Sequence, residues 1–566
     1  MRTAQECPVR PAAEIADASA TARPLLPAWA VWLALAAILA GALLVRTWKL
    51  HQRPLFVDEA ESVFNALSIL QTGVPTNQYL GLPMYENTLV RPWPESTEYE
   101  FADSSYSRKG VATYHGWLPL YATAASLKLF GIDTLDRTAR PLEAVVNRIN
   151  IAARLPAVLW GMAFVVLCFV AARAMHTPES GLLAAALAAF LPNSVWLARE
   201  ARYYAPCVML SALSLLLIWR LCRRGGWGDA IGLGVSLALL AHTHLIAAAA
   251  LAPVAIVAPL LARRPAARVV PVAFIPAAFV LPWMILTGFF QTFGELPSAR
   301  SLLIPSDYLL YFRKHPYVPV VVAGAIVAAW LLRRRPGVAM PLWIVAAGAV
   351  GGYLAFYLLL PASSFFVARL TYVMLAPLVL LAGMLVMLIL GKLPPHLGRA
   401  GMAIFLLALF ALGGRGLVGW HRLQNERPVL LAMAEKLRSL QLDRTAARFY
   451  AVPLHHFTLA LYTGLPIQSI APVRKSFLDS SPDTLVLIHT RIGNAPAGWA
   501  RDNPAIFRGF DGTTSDDFWT VFFYRFVNPA ARRGASANYA ERFADADIIE
   551  VGPGWSIHVS APGGRT

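Results

Sequence analysis

The sequence predicts a polytopic α-helical membrane protein that carries a C-terminal soluble α/β domain, and three observations lead there. The 566-residue chain is 57% hydrophobic and 14% charged, with a mean hydropathy of +0.53, whereas a soluble protein is about one quarter charged. Apolar runs near the roughly 20 residues that a bilayer crossing needs recur from Ala28 to about Gly414. Beyond Trp420 the pattern changes to that of a mixed, aqueous α/β sequence.

The first apolar run covers about Ala28 to Leu44 and the second about Ala153 to Ala171. Further runs follow near 181–197, 204–221, 229–242, 245–262, 269–287, 317–332, 338–360, 370–390 and 400–416, which makes about eleven crossings. The basic residues of the short loops alternate between the ends of these runs. Arg173, then Arg220 with Arg223 and Arg224, then Arg263, Arg264 and Arg268, then Arg333 to Arg335, then Lys392 with Arg399 fall on one side, which the positive-inside rule makes cytoplasmic. His242 and His244 then mark a tight outer turn, because the Arg clusters before and after them require two crossings between.

An odd number of crossings from a cytoplasmic N-terminus places the first loop, residues 45–152, and the domain 420–566 together on the outer face of a cell (inner) membrane. Residues 1–27, rich in Ala, Arg and Glu with Pro11, Pro24 and Pro27, read as a disordered cytoplasmic tail before an uncleaved helix, since no small-residue cleavage site closes the first apolar run. The net charge of +17 is a topology signal in this distribution, and no nucleic-acid partner is expected. Of four cysteines, Cys168, Cys207 and Cys222 lie in or beside spans and Cys7 lies in the tail, so neither a disulfide framework nor a Cys zinc site is expected. No metal site or cofactor is expected, although nothing in the sequence excludes a divalent ion.

The stretch "FVDEAES" places Asp58, Glu59 and Glu61 within four residues just after the first span. Its plain reading is a D-x-x-E capping box that starts a helix with Val63, Leu67 and Leu70 on one apolar stripe. Such a helix would lie on the outer membrane surface and fix its acidic end there. "LAREARYYAP" holds Arg199, Glu200 and Arg202 at the outer ends of two spans, against the positive-inside bias. Single arginines there can snorkel, but the alternating pattern with Tyr203 and Tyr204 suits an anionic ligand held beside an acid. Arg369 and Tyr372, spaced i, i+3, can face one pocket or anchor the interface. Arg108, Lys109, Arg300, Arg313, Lys314 and His315 supply more outward cations, and His115, His242 and His244 are candidate cavity-lining groups that could equally be packed or solvated. The Asp545–Asp547 "DAD" is too short a pattern to carry weight.

The order of motifs resembles the GT-C superfamily of polyprenyl-phosphate-sugar glycosyltransferases, nearest its protein O-mannosyltransferases and lipid A aminoarabinose transferases. The pieces that carry the resemblance are "LVRTWKL" with "VDEAESVFNAL", "YHGWLPLYATAASLKLFG", "ARLPAVLWG", "LAREARYYAPCVMLSALSLLL", "LAHTHLIA", "LPW" and "ARLTYVMLAP", in family order across residues 45–377. Gly116 and Trp117 stand where the family has a P-P-L-Y-like segment, Arg369 to Tyr372 depart from an R-Y-L-L-P-like one, and the polar insert 77–110 does not align.

The resemblance implies a sugar donor on a polyprenyl phosphate and a lipid, glycan or protein acceptor at the bilayer surface. It assigns Asp58 as the base, Glu59 and Glu200 as its supports, and Glu61 to capping. Arg199, Arg202, Arg369, Tyr372, Arg108, Lys109 and Arg313 become candidates for the donor phosphate, and one base with direct attack implies inversion. The residues alone also allow a transporter or flippase, which would show repeats and ionisable groups near mid-span, or a scaffold that presents the C-terminal domain.

Overall fold

The computed structural model describes residues 24–79, 82–83, 90–92, 98–99, 101–103, 105–134, 141–295, 312–313, 315–359, 364–422, 427–440, 447–451, 455–470, 473–489, 543, 545–552 and 555–560. Helix α1 (Ala28–Thr47) leads through the turn 48–56 into α2 (Val57–Thr72). Two short antiparallel hairpins, β1 (Gln78–Tyr79) with β2 (Leu82–Pro83) and β3 (Val90–Pro92) with β4 (Phe101–Asp103), are followed by α3 (Leu118–Leu129). Then come α4 (Leu142–Met175), α5 (Pro178–Phe190), the short α6 (Pro192–Leu197), α7 (Tyr204–Arg224), α8 (Trp227–Ala241), α9 (Leu245–Leu261), α10 (Val270–Thr287) and α11 (Phe289–Glu295). The membrane body ends with α12 (Tyr317–Leu331), α13 (Pro336–Leu359), α14 (Ser364–Leu390) and α15 (Pro395–Arg422).

By length and composition six helices, α1, α4, α7, α10, α13 and α15, suffice to cross a bilayer, and shorter apolar helices occupy the other positions expected for spans. Two expectations shift. The run expected at 181–197 is α5 followed by α6, because Pro192 has no N–H to continue the ladder and holds Leu191 extended at ψ 129°. Helix α4 begins at Leu142 rather than near Ala153, and its 34 residues extend about 51 Å. Its polar first turns therefore project beyond the apolar layer. At the centre of the body, every residue of α5 after Pro178 is buried, and its small side chains allow close crossings: a Cβ on Gly383 of α14 would sit 2.9 Å from the Ala184 nitrogen.

The C-terminal region comprises α16 (Arg427–Ser439), β5 (Ala447–Ala451), α17 (His456–Thr463), β6 (Ile467–Ser469), α18 (Lys475–Ser480), β7 (Thr484–His489), β8 (Asp547–Gly552) and β9 (Trp555–Val559). The sheet order is β6-β5-β7-β9-β8, parallel at β6-β5-β7 and antiparallel beyond. The sequence places strands at "RFYAV", "TLVLIHT" and "WTVFFYRF" and helices near 427–440 and 454–463; the first two strands and both helices coincide with β5, β7, α16 and α17, whereas "WTVFFYRF" lies outside the described residues. The Asp545–Asp547 run leads into β8, away from the acidic cluster of α2.

The first loop and this domain share one side of the molecule. Tyr99 from the insert bridges to Val473, its hydroxyl donates to Gln468 Oε1 at 2.5 Å, and Arg474 N donates to Glu98 O at 2.8 Å. Helix α2 does not lie on the bilayer as a half-exposed amphipathic rod. Twelve of its 16 residues are buried, among them Val63 and Leu67, and α17 packs against it through the Phe64–Phe457 ring pair at 5.5 Å. Its polar face is covered because the first loop brings hydroxyls to it, Tyr106 and Tyr114 both accepting from the Asn65 amide.

Candidate active site

The site is built on the turn 48–56, whose carbonyls would be orphaned without partners from distant helices. Arg154, in the first half of α4, donates to Leu50 O at 2.9 Å, Arg53 O at 2.7 Å and Pro54 O at 2.9 Å. One turn earlier, Asn150 donates to His51 O at 2.9 Å and Arg53 O at 3.0 Å. The Asn150 carbonyl accepts from Tyr462 Oη at 2.9 Å, and the same hydroxyl accepts from Leu55 N at 3.0 Å. Thr458 Oγ1 adds a bond to Leu55 O at 2.8 Å and Arg427 one to His51 O at 2.7 Å. The turn is thus fixed by α4 on one side and by the C-terminal domain on the other.

Helix α2 starts at Val57, with extended Phe56 as its N-cap, and Glu59 Oε2 accepts from Phe56 N at 3.0 Å. The capping carboxylate is therefore Glu59, and the D-x-x-E reading that gave capping to Asp58 and Glu61 is corrected: Pro54 and the extended Phe56 set the helix start two residues earlier. Fully buried, Glu59 also accepts from Arg154 Nε at 2.8 Å, Arg154 Nη2 at 2.7 Å and Ala201 N at 2.9 Å. Burial alone would raise its pKa, but the Arg154 guanidinium outweighs that and holds it well below the ordinary carboxylate value. Glu61 is buried too, accepting from Tyr106 Oη at 2.9 Å and pairing with Arg202 Nη1 at 3.2 Å.

Arg202 sits between the acids. Its Nη2 lies 3.3 Å from Asp58 Oδ2, Nη1 donates to Ser62 Oγ at 3.2 Å, and the guanidinium lies 5.5 Å from the Tyr114 ring centroid. Among the four carboxylates here only Asp58 keeps notable exposure, 14% of its side chain, against 0% for Glu59 and Glu61 and 4% for Glu200. Glu200 pairs with Arg53. Burial, reinforced by Glu59, raises its pKa although Arg53 opposes the shift.

Arg199 is buried and donates to Val45 O at 2.8 Å, at the C-terminal end of α1. Burial, with Arg154 and Arg53 nearby, lowers its pKa to about 10. Lys109 reaches α10 instead, donating to Leu286 O at 2.9 Å, and Arg108 beside it is exposed. Arg313 is exposed. Arg369 and Tyr372 fall within α14, but their side chains lie outside the described residues, as do Arg300 and Lys314 altogether.

Two of the three histidines join Arg202 in one aromatic wall. His115 stacks against Tyr203 at 4.8 Å between centroids, and Tyr203 against His244 at 5.0 Å. His115 Nδ1 bonds Gly116 O at 2.9 Å, and burial first, then Arg202, keeps the ring neutral with a pKa well below 6.5. Its Nε2 is therefore a buried acceptor with no partner among the described residues. His242 turns toward α10, its Nε2 3.3 Å from Phe279 O, with its ring 5.5 Å from that of Trp283. The backbone there touches the first loop: Leu118 N donates to His242 O at 2.9 Å, and a Cβ on Gly116 would meet the His242 carbonyl carbon at 2.0 Å.

Sequence reasoning missed Arg154, Arg53 and Asn150 as site-builders. The signal for Arg154 was present: an arginine at the head of an apolar run calls for a named partner. Arg46, in the quoted "LVRTWKL", is likewise buried and caps α5 by donating to Ala188 O at 2.8 Å and Ala189 O at 2.9 Å. Among the described residues, no group of three or more His, Cys, Asp or Glu side chains could hold a metal ion.

A family model described as dolichyl-phosphate-mannose-protein mannosyltransferase matches residues 142–287, which is α4 to α10. No match is found among curated protein sequences. Among solved structures, ArnT from Cupriavidus metallidurans bound to undecaprenyl phosphate is 14% identical with a TM-score of 0.53, over 96% of this chain and 100% of that one. The apo state of the same ArnT gives 14% and 0.52, over 95% and 100%. The archaeal oligosaccharyltransferase AglB from Archaeoglobus fulgidus is 10% identical with a TM-score of 0.47, over 81% of this chain and 69% of that one. The chain is a multi-pass membrane protein with the fold of ArnT, the GT-C fold that the motif order implied.

Proposed function

We propose that this chain is an integral-membrane glycosyltransferase that moves a sugar from a polyprenyl-phosphate donor to a hydroxyl or phosphate acceptor, with Asp58 as base and inversion at the anomeric carbon. The observation that carries this reading is the exposure of Asp58: paired with Arg202, it alone among four clustered carboxylates keeps notable side-chain exposure, 14%, while the others are at 0–4%. The family match, the ArnT likeness and the undecaprenyl phosphate carried by that ArnT structure support a polyprenyl carrier.

For a hydroxyl acceptor, its oxygen forms the new bond to the anomeric carbon while the bond from that carbon to the phosphate oxygen breaks. The hydroxyl proton passes to Asp58, and polyprenyl phosphate leaves with the electron pair. Charge builds on the leaving phosphate, so the cations matter most. Arg202 is the principal phosphate partner, with Arg199, Arg369, Tyr372, Arg108, Lys109 and Arg313 as further candidates. Proton transfer comes late, so the base contributes about 10² to 10⁴-fold. Glu59 and Glu200 position the turn through Arg154 and Arg53, and His115 Nε2 offers an acceptor for a sugar hydroxyl. The basic helix ends face the cytoplasm of an inner membrane, which puts the reaction on the outer face.

The test incubates purified protein with a panel of polyprenyl-phosphate sugars and lipid, glycan or protein acceptors, comparing wild type with Asp58→Asn. Transfer by wild type and its near loss in the variant is the expected result. Full transfer by the variant would remove Asp58 as base. No transfer with any donor, alongside solute uptake in proteoliposomes, would replace the enzyme reading with the transporter.

A further inference from the structure

A cavity of about 920 Å³ opens at the end of the membrane body opposite the acidic cluster. Helix α7 relates the two: Arg202 lies just before its first residue and Arg223 just before its last, and 21 residues separate those ends by about 30 Å. The cavity is therefore a feature of the other membrane face. Its volume falls in the range of small-molecule sites, roughly 300–1,000 Å³.

The lining has two unlike halves. Arg223, Arg335 and Lys392 supply three cations from the end of α7, the turn between α12 and α13 and the turn after α14. The acid that lines it, Glu179, is committed elsewhere, accepting from Leu25 N at 2.8 Å and Leu26 N at 3.2 Å. The remaining titratable neighbour, His176, bonds Ser180 Oγ at 2.6 Å. Away from this rim the wall is apolar, with Gly324 of α12 facing Leu385 of α14. Val320 and Val327 also line the cavity, yet are 68% and 55% exposed. The cavity therefore continues sideways onto the lipid-facing surface of α12. A basic rim at headgroup level joined to an apolar slot that opens into the bilayer fits an amphiphile with an anionic head.

We propose that this cavity binds one anionic phospholipid of the leaflet at the basic end, its phosphate held by Arg223, Arg335 and Lys392 and an acyl chain lying between α12 and α14. Neither the donor site nor the chemistry at Asp58 enters the argument, so the two proposals stand or fall separately.

Native mass spectrometry of the delipidated full-length chain tests it, with phosphatidylglycerol and phosphatidylcholine of identical acyl chains as the probes. One phosphatidylglycerol should be retained under activation that strips phosphatidylcholine. The triple variant R223Q/R335Q/K392Q should bind it roughly 100-fold more weakly, from about a fivefold step per lost cation. Gly324→Leu keeps every charge but fills the slot, where a Cβ has 3.8 Å of clearance to Leu385 Cδ1, and should also weaken retention. If the triple variant misfolds by circular dichroism, Gly324→Leu decides. Equal retention of the two lipids, retention unchanged in Gly324→Leu, or displacement by free inorganic phosphate as effective as by the lipid would overturn the assignment.

Discussion

Arg154 grips Glu59 through two parallel hydrogen bonds, 2.8 and 2.7 Å long, with both side chains buried, and directs its three remaining N–H donors to the carbonyls of Leu50, Arg53 and Pro54. One planar fork thereby joins the head of α2 to the turn before it. Removing a single partner of such a pair costs about 3–5 kcal/mol. Arg154→Ala should lower the Tm in detergent sharply, and Arg154→Lys should rescue little, because an ammonium cannot reproduce the fork. A thermal melt of the two variants within a few degrees of wild type would contradict this.

The two buried glutamates should tilt stability in opposite directions with pH. Glu59 has a depressed pKa in the folded chain, so its contribution is complete above the ordinary value of 4.5 and is lost as the pH falls below it. Glu200 has a raised one, so the unfolded chain ionises first and stability declines as the pH climbs from 4.5 through the raised value. Melting curves across pH should show the acid-side loss flattened in Glu59→Gln, and the decline toward neutrality flattened in Glu200→Gln.

Asp58→Asn should reduce kcat by about 10² to 10⁴-fold while leaving Tm nearly unchanged, since Arg202 keeps its ion pair with Glu61. Steady-state transfer with a saturating lipid-linked donor, read beside a melting curve, separates this from a folding defect.

Gly116→Ala should loosen the contact between the first loop and the α8–α9 turn, because the new methyl overlaps the His242 carbonyl carbon at 2.0 Å and nothing there is a flexible side chain. Overpacking of this kind costs typically about 1–3 kcal/mol. The Leu118 N–H should then exchange with deuterium faster than in wild type.

Tyr462→Phe deletes a hydroxyl that accepts from Leu55 N and donates to Asn150. Leaving those buried groups unpaired costs about 1–3 kcal/mol. Transfer activity should fall along with Tm, although the residue is remote in sequence from every reacting group. Unchanged activity and stability would mean that the turn holds its shape without the C-terminal domain.

Hydropathy and loop charge revealed the membrane helices, because both follow from transfer free energies that act residue by residue. Asp58, Arg202 and Glu200 were also legible, as charge standing where the bilayer disfavours it. The true start of α2 was not: it depends on Glu59 reaching back to Phe56, and the one acid-x-x-acid register in the window, Asp58 to Glu61, points to the wrong residues because Phe56 has no capping side chain. The partners of the turn were less legible still. Asn150 and Tyr462 look unremarkable within their own helices, and only the tertiary fold brings them together on Leu55 and His51. The short helix α17 was found by its pattern, while its role as a brace for α2 required a contact across some 400 positions, |i−j| = 407.

That separation has a consequence for how the molecule comes into being. The turn before Asp58 leaves the ribosome some 400 residues ahead of Arg427, Thr458 and Tyr462, which fasten its carbonyls and its Leu55 amide, at separations of 376, 403 and 407 residues. A nascent protein with most of its helices already inserted still lacks these fastenings. Holding the turn is thereby tied to synthesis of α17, and a product truncated before that helix lacks both Thr458 and Tyr462.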